Sequence, residues 1–213
     1  DLPWRRTRDP YAVWVSEIML QQTQVATVVP YFLRFLETFP TIDDLARADE
    51  QQVLRRWEGL GYYRRARQLH RAAQEIVEKH DSRFPRDVTA IRSLPGIGRY
   101  TAAAIASIAW DAREAILEAN TIRLFSRLIA LDHDLTQKAA QQLLWDFSAS
   151  LLPRREVGLF NQALMELGSE LCTPRNPRCD RCPVALLCPT RALGLQDQIP
   201  RPKRRTVYEE IHE

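Results

Sequence analysis

The chain has 213 residues, 45% of them hydrophobic and 27% charged, and a formal net charge of +3 at neutral pH. That length suits one substantial core or two small ones, and no apolar run approaches the roughly 20 residues that span a bilayer. With no secretory signal in view, a water-soluble cytoplasmic protein without a membrane partner is expected. The chain starts at Asp1, and a fragment of a longer protein is the expectation. Basic residues gather at Arg5/Arg6/Arg8, Arg64/Arg65/Arg67, Arg154/Arg155 and Lys203/Arg204/Arg205. Such groups serve either as phosphate contacts or as solvated faces.

Nearly every segment carries helical periodicity. Val13, Trp14, Ile18, Val25, Val28, Val29, Phe32, Leu33 and Leu36 recur at helical spacing between Pro10 and Phe39. The polar patch Gln21–Gln24 splits that run into two predicted helices. Thr41 or Asp43 caps a short one ending near Ala48. Further helices are expected over 50–57, from about Tyr63 to His80, near 121–131, over 136–151 and over 157–171. Trp4, Trp57 and Trp145 read as core. Ile199–Arg205 reads as the start of a linker or tail. No convincing strand emerges, so the fold class is all-α.

One stretch joins a short predicted helix over Thr89–Leu94 to an Ala-rich one over Tyr100–Trp110: Leu94-Pro95-Gly96-Ile97-Gly98-Arg99-Tyr100-Thr101. A helix that stops, turns through Pro-Gly-x-Gly and restarts presents backbone N–H groups and a helix dipole that favour a phosphate. Gly96 and Gly98 let an anion approach without a Cβ in the way. This is the pattern of a helix-hairpin-helix, which grips a nucleic-acid backbone without reading sequence; an ordinary helix–helix turn has the same outline.

All four cysteines, Cys172, Cys179, Cys182 and Cys188, fall within one Pro- and Arg-rich stretch. Without a secretory signal, metal ligation is favoured over disulfides. Four thiolates so spaced suit either a tetrahedral zinc or a cubane iron–sulfur cluster, and the spacing leaves both open.

Four motifs in collinear order then carry a resemblance: Ser16-Glu17-Ile18-Met19-Leu20-Gln21-Gln22-Thr23-Gln24-Val25, Gly59-Leu60-Gly61-Tyr62-Tyr63, Leu94-Pro95-Gly96-Ile97-Gly98, and the cysteine quartet. The chain resembles the helix-hairpin-helix DNA glycosylases related to endonuclease III, and within them the MutY-type adenine glycosylases, over about residues 2–190. The resemblance implies a 4Fe–4S cluster on Cys172, Cys179, Cys182 and Cys188. It implies a six-helix barrel over 8–112, with the hairpin at about 89–110. It also implies a cluster domain from 1–7 and 113–195, and a basic linker over 196–213 to a C-terminal domain beyond the sequence. The implied partner is double-stranded DNA carrying a mispaired or oxidised base, bound by a monomer in a bacterial, nucleoid-associated setting. The implied reaction is excision of adenine opposite 8-oxoguanine or guanine, with the adenine flipped into a pocket.

Breaking an N-glycosidic bond requires protonation of the leaving base and stabilisation of positive charge on the sugar. By the resemblance, Glu17 is the general acid, a role that needs a carboxyl raised by burial; without the resemblance, a surface glutamate is the simpler reading. Glu118-Ala119-Asn120 stands where the family has Asp-Gly-Asn, so Glu118 takes the place of the Asp that stabilises the sugar cation. Its reach is one methylene longer, while Asn120 matches. Tyr100 stands where bifunctional relatives have a Schiff-base lysine, which implies a monofunctional enzyme. The resemblance further assigns DNA contacts to Gln22, Thr23, Leu60, Tyr62, Gly96, Gly98 and Arg99, and base-pocket positions to Arg5, Leu20, Val25 and Gln162. Tyr62 and Tyr63 are alternatively plain core aromatics. Two other functions fit the same motifs: a G·T or G·U mismatch glycosylase of the same superfamily, and a lesion-binding protein that Glu118 has inactivated.

Overall fold

A computed structural model describes residues 2–201, and every regular element among them is helical. The described chain divides into two compact units: residues up to Ile116 with Leu152–Gln162 form unit one, and residues 117–151 with 163–201 form unit two.

Unit one is built on α1 (Pro10–Leu20), in which Tyr11 through Met19 are all buried. A helix covered on every side has no polar stripe to spare, so any charged residue along it is enclosed. Asp9 starts it by accepting from the N–H groups of Tyr11 and Ala12, with Pro10 at the first helical position. α2 (Val25–Thr38) packs on α1 and buries the stripe Val28, Phe32 and Phe35. α3 (Ile42–Arg47) opens with a reciprocal Thr41–Asp44 capping box, and at the start of α4 (Glu50–Trp57) the Gln52 side chain accepts from Asp49 N. α5 (Arg64–Lys79) packs against α1, α3 and α4, and α6 (Val88–Ser93) leads through the hairpin into α7 (Arg99–Trp110). The alanine run Ala102–Ala104 of α7 is buried, and its small side chains bring α7 close to α1.

Asp111 ends α7 in a left-handed conformation, and its carboxylate accepts from Glu156 N at 2.9 Å and Gly158 N at 3.1 Å. It thereby caps α10 (Val157–Glu166) from a distant part of the sequence. Trp4 meets Phe32 edge-on at 5.3 Å, which ties the N-terminal residues to unit one and not, as expected for 1–7, to the cluster domain.

Unit two holds α8 (Ala119–Leu128), α9 (Lys138–Ser150), the last turn of α10 and α11 (Pro189–Ala192). Phe125 of α8 meets Phe147 of α9 edge-on at 5.6 Å. The expected continuous helix over 157–171 changes winding at Leu167, where a π-helical turn runs to Leu171. Trp145, expected in the core, is half-buried. Residues 196–201, expected to begin a linker, are held in this unit: Arg127 donates to Gln196 O and Ile199 O, and Ile199 is buried. The remainder of that expected linker, including Lys203, Arg204 and Arg205, lies outside the described residues.

Candidate functional site

Glu17 is a carboxylate on a wholly buried helix and is only 7% exposed, so the surface reading is overturned. Tyr100, in the first turn of α7, donates its hydroxyl to Glu17 Oε2 at 2.7 Å. At 2.7 Å this is a well-formed O–H···O hydrogen bond. It fixes the carboxylate's orientation within a low-dielectric setting, where an acid group is worth more to chemistry than in water.

The same unit carries the hairpin. Gly96 sits at φ +78°, and a Cβ there would lie 2.8 Å from Gln68 Cβ, so both backbone and packing require glycine. Gly98 is different: it is the extended N-cap of α7, and nothing lies near the place a Cβ would occupy. The protein's own packing leaves that side open, and no side chain caps the helix start. Arg99 is the exposed first residue of α7.

Two short connections bear the expected strand-probing residues. Gln22 lies between α1 and α2 at φ +58°, and Tyr62 between α4 and α5 at φ +48°. Both are exposed, Tyr62 by 63%, which excludes the core-aromatic reading for it; Tyr63 is 39% exposed. Non-glycine residues in the left-handed region are uncommon and mark functional loops when the surroundings enforce them. Leu60 does not project as expected for a DNA contact: its side chain is buried and its carbonyl accepts from Arg65 Nη2. Thr23 likewise gives its hydroxyl oxygen to Arg65 at 3.1 Å. Arg5, Leu20 and Gln162 are half-buried in unit one, and Val25 is 44% exposed at the start of α2.

In unit two, Glu118 is the N-cap of α8. Its Oε2 accepts from Asn120 N at 2.8 Å and its Oε1 from Thr121 N at 2.9 Å, while Glu118 N donates to Thr121 Oγ1. The longer glutamate is therefore held against its own helix start, where the dipole favours negative charge. Ala119 begins the helix without a positive φ, so the loss of the family's glycine is accommodated. Asn120 Oδ1 accepts from Arg123 Nη2 at 2.9 Å, and Arg123 also donates to Gly168 O and Cys172 O. Gly168 lies so near Asn120 that a Cβ would come within 2.9 Å of its Cβ. Burial lowers the pKa of Arg123.

Cys172, Cys179, Cys182 and Cys188 are all free thiols and line one cavity, walled by Leu124, Leu128, Val184 and Ala185. Burial pushes the Cys182 thiol up; a hydrogen bond from the Val184 backbone opposes this and the other three cysteines add to it. A single zinc draws its sulfurs to about 2.3 Å, whereas a cubane keeps its four thiolates apart around a cage. Four thiols lining one cavity fit an iron–sulfur cluster. Arg127 secures the loop by donating to Thr173 O at 2.8 Å and Pro174 O at 3.3 Å, and it reaches Cys172 Sγ at 3.4 Å.

An all-helical chain with a helix-hairpin-helix turn, a buried carboxylate bonded by a tyrosine and a thiol-lined cavity defines a class of iron–sulfur DNA-repair protein. The family model described as HhH-GPD superfamily base excision DNA repair protein matches residues 15–149, and the chain belongs to that superfamily. The model for the iron–sulfur binding domain of endonuclease III matches residues 172–188, and the cofactor is a 4Fe–4S cluster. Similar curated proteins include the adenine DNA glycosylase of Rattus norvegicus, 46% identical over 88% of this chain and 38% of that protein. That of Homo sapiens is 44% identical over 93% of this chain and 38% of its own length. That of Buchnera aphidicola subsp. Schizaphis graminum is 40% identical over 88% and 54%. The chain thus spans between about two-fifths and about half of these relatives. Among solved structures, a thermostable thymine-DNA glycosylase superposes with a TM-score of 0.82 at 30% identity, covering 91% of this chain and 89% of that one. A non-covalent endonuclease III–DNA complex, at 20% identity and a TM-score of 0.76 over 89% and 87%, shares the fold.

Sequence reasoning missed the buried arginines. Arg65 belongs to a cluster that reads as phosphate contacts or a solvated face, yet it is buried and satisfies backbone carbonyls. Arg123 and Arg127 received no role. Their signal was available as two arginines one turn apart, flanking Leu124 and Phe125 on a face that has to be buried.

Proposed function

We propose that this chain is the catalytic portion of a base-excision DNA glycosylase that hydrolyses the N-glycosidic bond of adenine mispaired with 8-oxoguanine or guanine. The observation that carries the reading is the buried Glu17 carboxyl bonded by Tyr100, in a chain 40–46% identical to proteins named adenine DNA glycosylase. In this reading Glu17 delivers a proton to the departing base as the C1′–N bond breaks, which makes adenine a neutral leaving group. Glu118, held by two backbone N–H groups, supports the positive charge left on the sugar. Water then gives hydroxide to C1′, and the proton it releases restores Glu17 by way of the solvent, completing hydrolysis. Tyr100 offers no amine for a Schiff base, so the product is an abasic site with the strand intact. When bound, the cluster joins the four thiolates into one body and so fixes the loop over 172–188. Gly96, Gly98 and Arg99 grip the DNA backbone, Gln22, Thr23 and Tyr62 engage the strand, and Arg5, Leu20, Val25 and Gln162 face the extruded base.

A thymine or uracil glycosylase acting on G·T or G·U pairs is the second reading, favoured by the likeness to a thymine-DNA glycosylase along nearly its whole length. Single-turnover release assays on duplexes carrying A·8-oxoguanine, A·G, G·T or G·U separate the two. Adenine release that is lost in Glu17→Gln supports the first reading; thymine or uracil release without adenine release supports the second. Tight binding to all mispairs with no release would mean that Glu118 has disabled the site.

A further inference from the structure

Arg65 occupies the first turn of α5, where the helix dipole disfavours a cation. It is nevertheless buried, and desolvation lowers its pKa. Its guanidinium compensates by reaching across two loops. Nη1 shares its two N–H groups among Ile18 O and Met19 O, both at 3.0 Å, and Gln21 O. Nη2 donates to Thr23 Oγ1 at 3.1 Å, Leu60 O at 3.2 Å and Gly61 O at 3.3 Å. The first three acceptors are carbonyls at the end of α1, which have no partner within the helix. The remainder belong to Thr23 and to the turn after α4. The same guanidinium lies over the Tyr62 ring, 5.5 Å from its centroid, and near Trp57 at 5.4 Å. Its contacts therefore flank Gln22 on both sides, at Gln21 and Thr23, and Tyr62 on one, at Leu60 and Gly61. Gln22 and Tyr62 are the non-glycine residues held at positive φ on these loops.

We propose that Arg65 is a positioning residue that locks the Gln22 loop and the Tyr62 loop into one rigid pair, so that both side chains enter the DNA stack together at a mispair. The proposal rests on the glycosylase reading above, because it takes Gln22 and Tyr62 as the groups that engage the strand. A flexible pair of loops would pay the ordering entropy on each encounter with DNA; a pre-ordered pair does not. Lysine cannot substitute, because an ammonium lacks the planar fork that spans both loops at once.

The test is equilibrium binding to a paired duplex and to duplexes carrying A·8-oxoguanine or G·T. The proteins are the parent, Arg65→Met, Arg65→Lys, and Arg65→Met in a Gln22→Ala/Tyr62→Ala background. Iron content and circular dichroism are checked on each. The expected result is that both Arg65 variants lose about ten- to a hundredfold of the preference for mispaired over paired duplex, with paired-duplex affinity unchanged. In the double-alanine background, Arg65→Met should have no further effect, a non-additivity that a merely structural role would not produce. Where Arg65→Met fails to fold, Arg65→Lys carries the comparison. Equal losses on paired and mispaired DNA, or additive effects in the double-alanine background, overturn the proposal while leaving the glycosylase reading intact. A parent that prefers no mispair and releases no base overturns the glycosylase reading, and the proposal with it.

Discussion

The hydroxyl of Tyr100 donates to Glu17 Oε2 at 2.7 Å, joining residues 83 positions apart across the packed pair α1 and α7. Removing that donor leaves a buried carboxylate short of a partner, which typically costs about 1–3 kcal/mol. Tyr100→Phe is therefore expected to lower thermal stability measurably. It should also slow base release by about ten- to a hundredfold through misorientation of the acid. Glu17→Gln removes the proton donor itself and should cost about 10²–10⁴-fold. Single-turnover kinetics beside a melting curve separate the two effects, and a Tyr100→Phe enzyme at parental rate would mean that the tyrosine serves stability alone.

Glu118 combines a structural and a chemical task that substitutions can separate. Glu118→Ala loses the α8 N-cap and should cost about 1 kcal/mol of stability. Glu118→Asp is expected to retain the cap and stay within about 1 kcal/mol of the parent, since aspartate is a favoured N-cap residue. Glu118→Gln keeps the size but loses the charge, and release should fall by about 10²–10³-fold. Comparable release by the parent and by Glu118→Gln would remove Glu118 from the chemistry.

Gly158 of α10 packs on the last turns of α7. A Cβ there would lie 2.8 Å from Ile108 Cα and closer still to Ser107 O. These are backbone atoms and cannot swing aside. Gly158→Ala should thus destabilise by about 1–3 kcal/mol, seen as a melting temperature lower by roughly 2–12 °C. An unchanged melting temperature would show that α10 shifts freely against α7.

Apart from the short helix α11, the cysteine segment is supported by brief 3₁₀ turns and the arginine contacts, so the thiolates carry much of its order. Cys188→Ser is expected to lose iron and to expose the 172–188 loop to protease, while the hairpin in unit one remains protected. Limited proteolysis with mass mapping, alongside an iron assay, reads both; full iron content in the variant would exclude Cys188 as a ligand.

Tyr11 is buried and donates its hydroxyl to Phe39 O at 2.8 Å. Burial, followed by the nearby carboxylates of Asp44 and Asp9, raises its pKa well above the ordinary tyrosine value. A folded-state value raised above the unfolded one contributes stability that is complete below about pH 10 and is lost as pH climbs further. Melting temperatures should therefore fall above about pH 10. Tyr11→Phe should melt lower at neutral pH, because Phe39 O loses its donor, and decline less steeply on the alkaline side. Parallel alkaline declines in parent and variant would assign the loss to other groups.

Much of the local structure was legible from residue order. The split of 10–39 at Gln21–Gln24, the helix over 50–57 and the hairpin at 94–98 all follow from periodicity, caps and glycine placement. These are interactions among residues a few positions apart. The π-helical turn at 167–171 was not legible, because the close approach of Gly168 to Asn120 lies far away in sequence. Leu60 and Arg65 were misassigned for a related reason. Spacing says that a turn residue is near the surface, but only packing shows that Leu60 faces inward and that Arg65 turns its guanidinium onto carbonyls.

By itself the sequence determined the all-helical class, the hairpin, the four-thiol set and, through its motifs, the superfamily. Each depends on short-range geometry or on the identity of residues at fixed spacing. Only the tertiary structure decided that Glu17 is enclosed and bonded by Tyr100, and that one arginine spans the loops of Gln22 and Tyr62. Those outcomes depend on which atoms lose water when distant segments pack. A charged group enclosed in that way then takes whatever partners the packing brings within reach.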